Sequence, residues 1–188
     1  MSVVPFPDHL LTLEEWDALP DDIDRHVELA EGVLIMAPRP GPMHQRASQR
    51  LATLLDEQLP DRLTALREVD VLVNATTPPT VRAPDVVVTS NSVAERNPAL
   101  ILASEVMLAV EVMWPGSRSV DRLRKPFEYA EAGILYYWLV DLESPTTLIE
   151  YVLVDDNHYE KTITTTGIST LFEPAPVTID VRTLTARR

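Results

Sequence analysis

Two carboxylates stand where a sequence rarely puts them without a reason. Asp85 opens the apolar run of APDVVV, and Glu111 interrupts the run MLAVEVM. Runs this apolar read as strands buried on both faces. An ionised carboxylate in such a strand is costly unless it is paired, hydrogen-bonded or on a metal. Behind Glu111 come a Pro-Gly turn, Trp114 to Ser117, and a polar helical segment with Arg122, Arg124 and Lys125. Two hard oxygen donors suit Mg²⁺ or Mn²⁺. An ammonium close by, such as Lys125, would hold a phosphate or an attacking water. A metal site for phosphate chemistry and a buried salt bridge among the same groups are both consistent with this spacing.

These residues need elements to position them. The Glu111 strand is followed by a helix over 117–132, closed by Gly133, and by a second buried strand, ILYYWLV, ending at Asp141. Strand, helix, strand is the order of a crossover unit. Pro126 marks either the first regular turn of that helix or a kink. Upstream, Thr12 and Glu15 have capping-box spacing. The run HVELAEGVLIMAP alternates on both sides of Glu31-Gly32 and reads as a β-hairpin. Glu28 and Glu31 read there as solvated turn carboxylates. His44 opens an amphipathic helix carrying Ala47, Leu51, Leu54, Leu55 and Leu59. Leu66 to Val73 reads as one strand, Asn74 to Arg82 as a loop, and Val93 to Leu102 as a loop or short helical turn. Beyond Asp141 the chain is β-rich, with a hairpin turning at Asp155-Asp156-Asn157 and a closing strand region from Leu171 to Leu184. On residue type alone, Tyr129 reads as a packing aromatic, and Asp121 with Lys125 as a surface pair.

Composition narrows the chemistry. A chain of 188 residues suits one domain, spanning 1–188, which buries roughly 70% of its unfolded surface. It is 45% hydrophobic and 24% charged, ordinary for a soluble globular fold. There is no cysteine, which excludes disulfides, Cys-ligated zinc and thiol catalysis and suits a cytoplasmic location. No signal peptide or membrane-length apolar run is visible. The net charge of −13 argues against broad binding to nucleic-acid backbones, though not against a local basic strip of Arg118, Arg122 and Arg124. No G-x-S-x-G elbow, P-loop or G-x-G-x-x-G is present, and His9, His26, His44 and His158 lack zinc-ligand spacing.

Four stretches together carry a resemblance: VELAEGVLIMAPRPGPMH, APDVVV, VEVMWPGSRSVDRLRKPFEYAEAGILYYWLVD and the weaker IEYVLV. In this order they resemble the Uma-type family of restriction endonucleases, a bacterial branch of the PD-(D/E)XK nuclease superfamily. The resemblance implies an α/β fold, a restriction-endonuclease-like mixed β-sheet flanked by helices. It implies Asp85 as the motif aspartate and Glu111 as the motif acid, both on a divalent metal, Mg²⁺ or Mn²⁺. The superfamily's lysine position, two after the acid, is Met113 here, and Lys125 matches a lysine moved onto the following helix. Glu31 and His44 fall on the family's recurrent acid and histidine near the same site. Trp114 departs from the serine often found before the proline. The implied activity is hydrolysis of phosphodiester bonds in DNA, with a homodimer as a further expectation and no membrane partner. A catalytically inactive nuclease-fold binding or regulatory protein is the alternative.

Overall fold

The computed structural model describes residues 7–19, 27–36, 40–113, 120–155 and 157–186. Trp114 to Ser119, and with them the Pro-Gly turn, Arg118 and the expected start of the central helix, lie outside the described residues, as does Asp156.

In chain order the elements are α1 (Leu13–Asp17), β1 (Val27–Ala30), β2 (Val33–Met36), α2 (Pro42–Asp56), β3 (Leu63–Leu66), β4 (Val71–Asn74), β5 (Thr80–Arg82) and β6 (Val86–Ser90). Then come α3 (Asn91–Glu95), β7 (Ile101–Leu102), β8 (Val106–Met113), α4 (Lys125–Glu131), β9 (Tyr136–Asp141), β10 (Thr147–Asp155), β11 (His158–Thr165), β12 (Ile168–Leu171) and β13 (Val177–Asp180). A six-stranded mixed sheet runs β11-β10-β9-β8-β6-β3, a five-stranded sheet runs β2-β1-β5-β4-β7, and β12 with β13 forms a small third sheet. The expected class, α/β with a mixed sheet flanked by helices, is the class observed.

The six-stranded sheet is covered on both faces, which is why its central strands read as continuous apolar runs. Val86, Val88, Leu108, Val110 and Val112 pack with Ala47, Leu51 and Leu55 of α2. Val87, Ala109 and Met113, on the opposite face, pack with Tyr129 of α4 and with Tyr137 and Leu139. The period of two along β8 therefore turns Glu111 towards α4. β6 and β8 are antiparallel neighbours, with Val86 opposite Val110. Continuing that register by one residue sets Asp85 across from Glu111. β8 and β9 are parallel, joined through α4 as the strand-helix-strand order requires.

Local chemistry explains most of the element ends. Thr12 caps α1 with the reciprocal Glu15 bond. Gly32 turns the β1–β2 hairpin at φ 77°, and the chain before α4 runs through a wide π-type turn, Val120–Arg124. Pro126 then stands in the first regular turn, where a missing N–H costs nothing. Two expectations are corrected. The stretch Leu66 to Val73 is not one strand: it breaks at Glu68, whose φ of 50° bends the chain from the six-stranded to the five-stranded sheet. Thr80–Arg82, expected in a loop, is β5, fully buried at the centre of the five-stranded sheet. Its brevity, with a charged residue in three, hid it from any periodicity. Only Ala83, Pro84 and Asp85 separate it from β6 in the other sheet.

Candidate active site

The site forms where the two sheets meet the start of α4. Asp85 sits at the mouth of β6 with 14% of its side chain exposed. The Val112 amide donates to Asp85 Oδ2 at 2.7 Å, and His44 Nε2 lies 3.2 Å from the same oxygen. His44 is in the first turn of α2 and buried, and its Nδ1 has no partner among the described residues. Glu111 is buried on the neighbouring strand. Its Oε1 accepts from Lys125 Nζ at 2.9 Å and from the Tyr129 hydroxyl at 2.8 Å. Lys125 and Tyr129 are four apart on α4, so one helix face delivers both.

Of the five residues singled out from the sequence, Asp85, Glu111, Lys125 and His44 are therefore brought together. Glu31 is set apart. Its side chain is 71% exposed and pairs with Arg124 at 3.1 Å on the rim of a neighbouring cavity of about 300 Å³, which Asn74, Thr80 and Phe127 also line.

Sequence reasoning missed four participants. Glu28, read as a solvated turn acid, turns inward from β1: its Oε1 is 3.1 Å from Lys125 Nζ and accepts from the Ala83 amide at 3.2 Å. Arg82, wholly buried on β5, donates to Glu28 Oε2 at 2.8 Å and grips both oxygens of Glu128 at 2.7 Å. Tyr129 is a hydrogen-bond donor to Glu111 as well as a core aromatic. Asp121 is buried 3.7 Å from Lys125, so this i, i+4 pair is interior. The available signals were the alternation of HVELAEG, which puts Glu28 off the Val27 and Leu29 face, and a lone arginine three residues before Asp85. The expected basic strip is also corrected. Arg122 is bonded to Asp141 at 3.0 Å, and Arg124 to Glu128 and Glu31, so both described members are neutralised by carboxylates.

The electrostatics follow from burial and an excess of acids. Burial raises Glu111 well above the ordinary glutamate value; Lys125 pulls it down, but Asp121, Asp85 and Glu28 push it further up. Burial alone would lower the Lys125 ammonium, yet Glu111, Glu28 and Asp121 raise it above the usual lysine range, so it stays charged. Burial alone would raise Glu28, but Lys125, Arg82 and the Ala83 amide bring it below the ordinary range. Burial, then Glu111 and Glu28, hold the Tyr129 hydroxyl protonated.

Comparison with known proteins bears on the fold and the family. No curated protein matches the chain. A crystal structure of a putative nuclease belonging to DUF820, from Anabaena variabilis, superposes with a TM-score of 0.70 at 18% identity, covering 93% of this chain and 97% of that one. At that identity the likeness speaks for the fold, which it shares across nearly the whole of both chains. A family match, Uma2, described as putative restriction endonuclease, extends over residues 13–182 and takes in every site residue described above. A match of that extent makes this chain a member of the Uma2 family.

Proposed function

We propose that this protein is a metal-dependent endonuclease that hydrolyses phosphodiester bonds in DNA. The observation that carries the reading is the convergence of Asp85, Glu111 and Lys125 at one end of two paired strands, in a chain of a family described as putative restriction endonuclease. The donor set fits a hard divalent cation. Around the buried Glu111, the carboxylates of Asp85, Glu28 and Asp121 outnumber the one ammonium. Such a surplus of anions is relieved by protons or by a cation. Asp85 and Glu111 would hold Mg²⁺ or Mn²⁺, which keep several waters in their shells. That matters here, because no preformed cluster of three or more His, Asp or Glu ligands exists among the described residues. Bound there, the ion supplies positive charge at the phosphate and acidifies a water.

The chain's own groups do the rest. The Val112 amide orients Asp85, with His44 beside it, and Tyr129 orients Glu111. Lys125 has three N–H donors. Two face Glu111 and Glu28, with Asp121 at 3.7 Å, and a phosphate oxygen that displaced Asp121 from the third would have its growing charge opposed by the ammonium during hydrolysis. A second reading has an observation of its own. Lys125 already neutralises Glu111, and Arg122 and Arg124 are spent on carboxylates, as in a nuclease-fold binding or regulatory protein without catalysis.

Plasmid and linear DNA incubated with several Mg²⁺ and Mn²⁺ concentrations separate the two. Lys125→Ala should slow turnover by roughly 10²–10³, the scale of losing one preorganised charge stabiliser, with metal binding by calorimetry nearly intact. Asp85→Ala should abolish both. Cleavage by Asp85→Ala equal to wild type would place the activity elsewhere, and no cleavage by any form would favour the binding protein.

A further inference from the structure

Arg82 is the only buried arginine among the described residues, and no step of the proposed hydrolysis uses it. All three nitrogens of its guanidinium are hydrogen-bonded. Nε and one terminal nitrogen form a two-pronged bond to Glu128, and the other terminal nitrogen bonds Glu28. Each partner leads to Lys125. Glu28 turns its second oxygen to the Lys125 ammonium. Glu128 lies three residues beyond Lys125, within the same turn of α4. That turn needs an anchor, because Lys125 is the first residue after the π-type turn, where the regular ladder of helix bonds is only beginning.

We propose that Arg82 is the positioning residue of Lys125: it holds the ammonium against Glu111 through Glu28, and holds the start of α4 through Glu128. A lysine at position 82 could not do this, because an ammonium is a point charge and lacks the planar fork that satisfies two carboxylates at fixed angles. The inference rests on the nuclease reading only for what Lys125 does to a phosphate. Where the ammonium sits can be measured without any activity.

The sequence makes that measurement simple, since it contains two lysines, Lys125 and the exposed Lys161. In protein labelled with ¹⁵N-lysine, the buried, bonded Lys125 ammonium should give a signal protected from exchange with water, and Lys161 should not. The variants are Glu128→Gln, which keeps the buried cation, and Arg82→Gln/Glu128→Gln, which removes that cation together with one of its anions. In each variant that melts cooperatively, the Lys125 signal should broaden into solvent exchange. Single-turnover cleavage should fall roughly ten- to a hundred-fold, the scale of a misplaced catalytic group, with DNA affinity within about two-fold of wild type. If the double variant does not fold, Glu128→Gln decides. A protected Lys125 signal in the folded variants overturns the proposal, and so does unchanged cleavage once the signal is lost. If wild type cleaves nothing, the nuclease reading fails and the ammonium signal alone decides for or against the positioning.

Discussion

Glu111 and Glu28 share one ammonium but stand on opposite sides of the ordinary carboxylate range, and stability should record the difference. For Glu111 the folded value lies above 4.5, so the native state holds this proton more tightly than the unfolded chain does. Its contribution is complete below the unfolded value and is lost as pH rises through the folded one. For Glu28 the folded value lies below 4.5, so its contribution is present above the unfolded value and is lost as pH falls through the folded one. Thermal melts in chelator across pH should show this as opposite difference curves. Glu111→Gln gains on wild type as pH rises above the carboxylate range, whereas Glu28→Gln loses on wild type at lower pH, as pH rises towards the ordinary glutamate value. Curves of the same sign would mean that the two acids do not divide the charge as described. The sequence declared Glu111 because a lone acid in an apolar strand is conspicuous. Glu28 was not legible, because an acid in a short hairpin strand, three residues before its turn, looks the same whether it faces water or an arginine that only tertiary structure brings near.

Among the elements, the β1–β2 hairpin does the most with the least sequence. Its turn depends on Gly32, with φ at 77°, and a Cβ there would come within 2.8 Å of Leu10 Cβ and 3.2 Å of the Leu11 carbonyl. Gly32→Ala combines left-handed strain with a clash against Leu10 Cβ, so it should cost about 1–3 kcal/mol in a denaturant melt. A neutral result would show that the N-terminal segment yields freely. This hairpin, α2, the β8–α4–β9 crossover and the β10–β11 hairpin were all readable, because each carries a strong period or an explicit turn signal. Two elements were not. β5 is three residues long, and its central place depends on pairing with β1, which is distant in sequence, as well as with the preceding β4. The break at Glu68 carries no glycine or proline, so β3 and β4 merged into one apparent strand. The half of the site on β6, β8 and α4 was therefore foreseeable, and the half on β1 and β5 was not.

For the whole molecule, charge sets the terms of any encounter with DNA. The chain carries −13, Arg122 and Arg124 are tied to acids, and no described helix is long and apolar enough to cross a membrane. Few phosphates can be neutralised by such a surface. The plot of log affinity for duplex DNA against log salt should then be shallower than about −3, where a backbone-tracking binder with six to ten phosphate contacts gives about −5 to −9. Anisotropy titrations between low and moderate salt test this, and a steep slope would reveal a basic surface beyond the residues described. The three-residue crossing from Ala83 to Asp85 has a different consequence. It leaves Asp85 and Glu111 on one sheet and Glu28 and Arg82 on the other, so the site also registers whether the two sheets are docked. Sub-global opening generally needs less free energy than complete unfolding. In urea, therefore, inactivation should precede the loss of far-ultraviolet circular dichroism, and divalent ions should shift the first transition more than the second. The proposed cleavage would be lost while most of the hydrogen-bonded backbone was still in place.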